Sequence, residues 1–396
     1  MKIAQILGRG IEGAGVSRYA YEMNQWLLKN GFEATIYVSN DKIWPRSKKA
    51  PIKDYIVYDK IEQTKLIDLM NSYDYVFIHS VPSVKHSQEC QDKFKDLVQN
   101  ITKTKVIFQN DHKPQSLARN ANFLDICEMC DRIASFGLET PFYKKVKERL
   151  GNEEAIKRYV HLHNSFDMSR LLPFQKKEHI DRITYLGRFA TFKDPKRMLS
   201  LLETRNIHHC QTECIGIERS IGAVCSFFRK EPDKPEENPD ILFFNQLEQI
   251  DNRDDSKLYT FGPYDWEDGV KALSNSLFGA SFYHLPPATY GDNIEYAQVE
   301  MVGVGCIPIF DYGFGESVCA YKNGKSTGIR LIDIPNFALF LKKDLSNLQE
   351  VAQQIEEIRK SPELQEKYRK TSFDVIANHV DINAVNQQLL KDLGAY

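Results

Sequence analysis

A chain of 396 residues, 42% hydrophobic and 27% charged, has the make-up of a globular protein large enough for two domains. No apolar run approaches the roughly 20 residues of a membrane helix, and no secretory leader pattern is evident, so neither a membrane span nor export is expected. The formal net charge of −2 hides an asymmetry, with 26 Lys+Arg against 21 Asp+Glu in residues 1–170 and 26 against 33 in residues 171–396. A basic first half can face a polyanion, whereas the acidic second half cannot do so broadly.

The first predicted element is a strand over Ile3–Leu7. It runs into the glycine loop Gly8-Arg9-Gly10-Ile11-Glu12-Gly13-Ala14-Gly15 and then a helix over Val16–Lys29. Val16, Tyr19, Met23, Trp26 and Leu27 recur at helical spacing, and Gly31 follows as a stop signal. Glycines let the backbone approach a ligand, and a helix start offers free N–H groups and a positive dipole end, which suit a phosphate. The spacing is not G-x-G-x-x-G, and an ordinary glycine-rich β–α turn would read the same way. Further strands are expected at Ala34–Val38, Tyr75–Ile78, Val106–Phe108, Ile133–Phe136 and Tyr159–Leu162. Between the first and second of these, Lys42–Lys53 carries five cations and no acid, a candidate phosphate-contacting loop through Arg46, Lys48 and Lys49 or simply a solvated one. Lys144, Lys145, Lys147 and Arg149 form a second basic cluster.

The polar stretch Asn164–His179 reads as a linker. A second strand series follows at Ile183–Leu186, Glu213–Ile217, Ser281–Leu285 and Ile307–Phe310, with a charged surface excursion at Lys230–Asp240. After Lys342 the chain turns helical, ending in Val385–Leu393. Strands alternating with helices predict doubly wound parallel sheets, whose ligands bind at strand C-termini facing a shared cleft. The eight cysteines are scattered. Cys127 and Cys130 lack a second ligand pair, and Cys210 and Cys214 beside His208 and His209 are a thin metal candidate, so free thiols are expected and no metal site.

The second series carries its own candidate groups. Arg188 and Lys193 follow a strand and can neutralise a diphosphate leaving group, although exposed surface cations look the same. Glu295 and Glu300 precede Gly303, Gly305 and Pro308, and a carboxylate there can accept hydrogen bonds from ribose hydroxyls. Residues five apart lie about 140° apart around a helix, so both acids can face one ligand only if Glu295 is on the loop and Glu300 in the helix. Acids enriched in a first helical turn would need no ligand.

Taken together, these segments resemble the T-even bacteriophage DNA α-glucosyltransferases, which glucosylate 5-hydroxymethylcytosine in viral DNA. The resemblance is carried by Arg9 to Val16, Trp26 to Gly31, Ser80-Val81-Pro82, Asp111-His112 with Ser116 to Asn120, Gly187-Arg188 with Lys193, Gly216-Ile217-Glu218-Arg219-Ser220, and Glu295-Tyr296 with Glu300, Gly305 and Ile307-Pro308. Residues 40–70 and 230–260 match poorly.

The resemblance implies the α/β GT-B architecture, two Rossmann-like domains facing a cleft. Residues 1–165 would take the acceptor DNA and 180–365 the nucleotide-sugar donor, and 366–396 would cross back as helix onto the first domain. It implies transfer with retention from a UDP-sugar to 5-hydroxymethylcytosine in double-stranded DNA, which protects phage DNA from host nucleases, and no obligatory cofactor or metal. Arg188 and Lys193 would hold the diphosphate, Glu300 the ribose, and Glu295 would sit nearer the diphosphate and sugar. Glu218 and Arg219 would join the donor contacts, and Gly13 and Gly15 would approach the donor from the other domain. Asp111, with His112 as second candidate, would accept or orient the acceptor proton, unless the leaving phosphate takes it. A base inside a duplex must be flipped out to react. In the family the catalytic segment reads His-Asp-His; here it is Asn110-Asp111-His112, so the donor sugar is UDP-glucose or another such as UDP-arabinose. The setting implied is the cytoplasm of an infected host, with the replication machinery as a further partner and no membrane. The alternatives are a GT-B enzyme acting on a polysaccharide, lipid or small molecule, and a nucleotide-sugar or DNA binder without catalysis.

Overall fold

The computed structural model describes residues 1–12, 15–40, 43–44, 52–109, 122–176, 178–186, 194, 197, 200–201, 211–216, 259–261, 266–282, 291 and 293–395. The chain forms two compact units. The first is Met1–Phe166 with Ala288–Asn293 and Val380–Tyr396; the second is Asp167–Pro287 with Ile294–His379.

In the first unit the strands are β1 (Lys2–Leu7), β2 (Ile11–Glu12), β3 (Glu33–Val38), β4 (Ile43–Trp44), β5 (Tyr55–Val57), β6 (Tyr75–Ser80), β7 (Thr104–Phe108), β8 (Arg132–Ser135) and β9 (Tyr159–His161). Seven of them form a parallel sheet in the order β5-β3-β1-β6-β7-β8-β9, and β2 pairs with β4 apart from it. Both faces of the sheet are covered. Ile3, Ala4, Ile6 and Leu7 are all buried along β1, the continuous apolar run of a parallel strand. On one face Tyr19, Met23, Trp26 and Leu27 of the helix Gly15–Lys29 pack with Phe77, Val106 and Phe108. On the other face lie Leu66 and Met70, Phe94 and Leu97, Ile126, and Tyr143 and Val146, from four further helices.

The C-terminal helix Ile382–Asp392 belongs to this unit. Leu389, Leu390 and Leu393 join the core beside Trp26, each burial contributing roughly 2 kcal/mol. The indole Nε1 of Trp26 donates to Asn383 at 2.8 Å, and the Phe166 amide donates to the Val380 carbonyl at 2.8 Å. The return of the chain thus starts at Val380. The preceding helix, Pro362–His379, stays in the second unit, where Ser372, Ile376 and His379 are buried. Residue 366, where the sequence suggested the crossing begins, is inside that helix.

The second unit has β10 (Ile180–Leu186), β11 (Gln211–Gly216), β12 (Tyr259–Phe261), β13 (Ser276–Ser281), β14 (Ile307–Asp311) and β17 (Leu339–Leu341). They form a parallel sheet in the order β12-β11-β10-β13-β14-β17. A hairpin, β15 (Cys319–Lys322) and β16 (Lys325–Arg330), turns through Asn323 and Gly324 at φ +54° and +72°, the left-handed pair that a two-residue hairpin needs. The core joins Ile183, Tyr185, Phe278, Ile307, Ile309 and Leu341 to Val351, Ile355 and Ile358 of the helix Leu348–Lys360.

Two expectations shift here. The strand sought at Ser281–Leu285 is Ser276–Ser281, whose small residues hide its character. Gly279 is needed there because a Cβ would come within 2.8 Å of Met301 Cβ. The stretch read as a linker is packed structure. It forms short 3₁₀ turns at Met168–Arg170 and Leu172–Phe174, Phe166 and Leu171 are buried, and a Cβ at Gly303 would meet Leu171 Cδ1 at 2.1 Å. The excursion at Lys230–Asp240 lies outside the described residues.

Candidate active site

The first unit offers the turn after β1. The Gly8 amide donates to the Ser80 carbonyl at 2.9 Å, and a Cβ at Gly8 would come within 2.7 Å of that oxygen. Gly10 is left-handed at φ +81° and also abuts Asn40. These two glycines therefore have backbone reasons of their own. Gly15 opens the helix, while Gly13 lies outside the described residues.

Between β1, β6 and this helix runs a buried polar chain that sequence reading did not single out. His79 Nε2 donates to Gln5 Oε1 at 2.8 Å, and Gln5 Nε2 donates to Asn24 Oδ1 at 2.9 Å. His79 stacks on Phe108 with ring centroids 4.6 Å apart, and burial pushes it down to about 3, so it is neutral across ordinary pH. The available signal was a polar residue inside an apolar run: Gln5 within Ile3–Leu7, and His79 directly after Tyr75–Ile78. A second anchor lies at the end of β7. The buried Gln109 donates its amide to the Ala134 carbonyl at 2.8 Å and accepts from the Ser135 hydroxyl. Gln109 is the last described residue before Asn110, Asp111 and His112, which lie outside the described residues.

The second unit holds both carboxylates. Glu295 is the extended residue that precedes the helix Tyr296–Gly303, at φ −77° and ψ 149°, and its amide donates to Gln298 Oε1 at 2.9 Å. Glu300 lies within the helix and is 6% exposed. This is the loop-and-helix placement under which residues five apart can face one ligand. Glu300 Oε1 accepts a 2.6 Å hydrogen bond from Trp266 Nε1. The indole is itself held by Phe174, edge-on with centroids 5.7 Å apart, and by the Arg170 guanidinium 5.1 Å from its ring centroid. Trp266, Arg170 and Phe174 were not foreseen. The first opens a helix after a three-residue strand, and the other two sit in the presumed linker.

At the C-terminal end of β14, Asp311 caps the next helix by accepting from the Phe314 amide at 3.1 Å. Its other oxygen meets Arg197 Nη1 at 2.6 Å. Arg197 is 2% exposed and also donates through Nε to Asp194 at 2.8 Å and through Nη1 to the Leu341 carbonyl at 3.1 Å. Strand C-terminal ends are where doubly wound sheets bind ligands. Arg188, Lys193, Glu218 and Arg219 lie outside the described residues.

The surface cations divide in the same way. Arg46, Lys48 and Lys49 lie outside the described residues. Lys145 pairs with Glu148 at 2.6 Å, Lys144 and Lys147 with Glu139 at 3.9 and 3.0 Å, and Arg149 with Asp125 and Glu128 at 3.0 and 2.8 Å. That basic cluster is therefore matched by acids, which the linear sequence did not reveal. Cys127 and Cys130 are buried thiols, the latter pushed up to about 12 by burial. Among the described residues no group of three His, Cys, Asp or Glu side chains is placed to hold a metal, and no helix is long and apolar enough to cross a membrane. His208, His209 and Cys210 lie outside the described residues.

Two doubly wound parallel units in one chain, with Glu300 buried in the helix that follows a central strand of the second, have the architecture of the GT-B class. The chain is similar to an alpha-glucosyltransferase solved in complex with UDP-glucose and DNA containing an abasic site (TM-score 0.82, 21% identity, 99% of each chain). Anabaena Alr3699/HepE in complex with UDP-glucose is more distant, at a TM-score of 0.58 and 11% identity over 100% of each chain. In sequence it is 22% identical over 401 residues to the DNA alpha-glucosyltransferase of Enterobacteria phage T4, covering 96% of both. The family model for DNA alpha-glucosyltransferase matches residues 14–327, and the chain belongs to that family.

Proposed function

We propose that this enzyme transfers a sugar, with retention, from a UDP-sugar to the hydroxymethyl group of 5-hydroxymethylcytosine in double-stranded DNA. Membership of the DNA alpha-glucosyltransferase family over residues 14–327 carries the reading. Solved relatives hold UDP-glucose with DNA, and UDP with a 13-mer containing an HMU base, which supports a UDP-linked donor and a hydroxymethylated acceptor base.

In this reading the second unit takes the donor. Glu300 accepts from the ribose hydroxyls, and Glu295 sits nearer the diphosphate and sugar. Arg188 and Lys193 offset charge that develops on the departing phosphate, an interaction strengthened in the transition state. Glu218 and Arg219 complete the donor contacts, and Gly13 and Gly15 let backbone approach the donor. The first unit takes the DNA, with Arg46, Lys48 and Lys49 on phosphates and Lys144 and Lys145 as secondary contacts after exchanging their carboxylate partners. The target base leaves the stack before reacting. Its hydroxymethyl oxygen attacks the anomeric carbon on the face the phosphate leaves. The new C–O bond replaces the C–O bond to phosphate, and the proton passes to Asp111, to His112 or to the phosphate itself. The work takes place in the cytoplasm of a phage-infected cell, with the replication machinery as a further partner, and protects the modified DNA from host nucleases.

The donor is UDP-glucose or a pentose analogue such as UDP-arabinose. Asn110 is shorter than the His of the family pattern, cannot carry charge near neutrality and presents both a donor and an acceptor. A panel of UDP-sugars with hydroxymethylated DNA tests this. Transfer of a pentose that Asn110→His redirects toward glucose supports a recut pocket. Efficient transfer of glucose with the pentoses inert sinks the pentose donor, and an inverted anomer by NMR sinks retention.

A further inference from the structure

Glu300 is not a freestanding carboxylate. Its Oε1 accepts the Trp266 indole N–H at 2.6 Å, and only 6% of the residue is exposed. Trp266 opens the helix Trp266–Ser274, and its ring is fixed by two neighbours from the 3₁₀ turns that follow Phe166. Phe174 meets it edge-on, and the Arg170 guanidinium lies over its face. The edge-to-face and cation–π geometries fix the ring without using its N–H. The N–H is then available to fix the carboxylate. A hydrogen bond to an ionised acceptor is about twice as strong as a neutral one, so it selects one orientation of the Glu300 carboxyl plane.

We infer that Trp266 is a positioning residue for the donor nucleoside, turning the Glu300 carboxylate toward the ribose hydroxyls. This rests on the reading of Glu300 as the ribose contact. It adds that ribose recognition depends on an aromatic side chain some thirty positions upstream, and on a segment that reads as a linker. A preorganised acceptor loses nothing to reorientation when ligand binds. Without the N–H the carboxylate loses a bond that orients it, and discrimination between ribose and deoxyribose falls.

The test compares UDP with its 2′-deoxy and 3′-deoxy analogues by calorimetry in the wild type, Trp266→Phe, Glu300→Gln and the double variant. Phe keeps a ring for Phe174 and Arg170 and removes the N–H. Trp266→Phe is expected to lower UDP affinity about tenfold, the scale of one lost charge-assisted hydrogen bond, while deoxy-UDP affinity barely moves. Glu300→Gln is expected to lose more of the same discrimination, and the double variant no more than Glu300→Gln. If Glu300→Gln removes the discrimination and Trp266→Phe leaves it intact, the positioning role is wrong. Discrimination left intact by Glu300→Gln means that the ribose reading itself is wrong. Fluorine NMR of 5-fluorotryptophan protein gives a check that does not require Trp266→Phe to fold. The Trp266 signal, identified by assigning Trp26 and Trp44 through their own Phe variants, is expected to shift with UDP in the wild type and far less in Glu300→Gln. A signal unmoved by saturating UDP in the wild type overturns the proposal.

Discussion

The two units are built alike but place different polar groups near the ends of their central strands. In the first, Gln5, Asn24 and His79 form a buried chain of neutral groups between β1, β6 and the first helix. In the second, Arg197 and Asp311 are a buried ion pair at the end of β14, and Glu300 is a buried carboxylate held by an indole. Burying charge is costly unless it is paired, so a charged interior is retained where charge has work to do. In the proposed reading a donor diphosphate supplies that work in the second unit. The first unit buries a charge as well, in Glu22, which is 3% exposed and pairs with Arg18 at 3.9 Å, so the units differ in where the buried charge lies: on the first helix in one, at the end of a central strand in the other.

The largest expected effect is in the donor chemistry. Replacing Arg188 or Lys193 by Ala is predicted to cost turnover about 10²–10³-fold each, the scale of one lost electrostatic stabiliser, with the circular dichroism spectrum unchanged. Turnover within threefold of wild type would remove these cations from the leaving-group site.

Next comes the buried pair. Arg197→Met takes the guanidinium away from the buried Asp311 carboxylate and is predicted to cost about 3–5 kcal/mol in urea unfolding. A cost below about 1 kcal/mol would mean that this pair adds little to the second unit, and its place in the comparison would fail.

His79 sharpens the other half. Its folded pKa of about 3 lies below its ordinary value of 6.5, so the unfolded chain binds the proton first. The stabilisation is present in full above pH 6.5 and is lost as pH falls from there toward 3, by up to about 1.4 kcal/mol per pH unit. His179 in the second unit, pushed down to about 4 chiefly by burial, acts in the same direction. Stability measured at pH 7 and pH 5 is predicted to differ less in His79→Gln than in the wild type. An unchanged difference would mean that the chain takes up a proton while folded.

The smallest effects concern DNA. Neutralising Arg46, Lys48 and Lys49 together is predicted to flatten the salt dependence of DNA affinity, with a slope change near 0.9 per lost phosphate contact. Lys144→Ala with Lys145→Ala is predicted to change it by less, because Glu139 and Glu148 already meet those charges. The reverse ranking would move the DNA-contacting surface to the helix Pro141–Leu150.

What was legible in the sequence follows from range. Apolar strands such as Ile3–Leu7 and the amphipathic helix ending at Lys29 announce themselves locally, because their neighbours in sequence carry the pattern. The placement of Glu295 before a helix and Glu300 within it was legible, since acids around a helix start are a local feature. Trp266 was not, because its meaning is a hydrogen bond to a residue in another helix. The stretch Asn164–His179 misled for a related reason. Its polar residues dominate the linear pattern, while Leu171 and Phe174 act through contacts with Gly303 and Trp266. Charge matching at Lys144 and Lys145 failed in the same way, since Glu139 and Glu148 neutralise them only once the helix forms. Of the three-residue strands, β9 was legible because its apolar pattern runs on to Leu162, whereas β5, β12 and β17 are too short to carry a period.

The most direct measurement is nucleoside mass analysis of DNA after incubation with the enzyme and UDP-sugars, comparing duplexes that carry 5-hydroxymethylcytosine with the same duplexes carrying cytosine. The account predicts a sugar-adduct nucleoside from the hydroxymethylated duplex alone, with UDP released in equal amount. No adduct from hydroxymethylated DNA with any UDP-sugar, or equal labelling of the cytosine duplex, would contradict it.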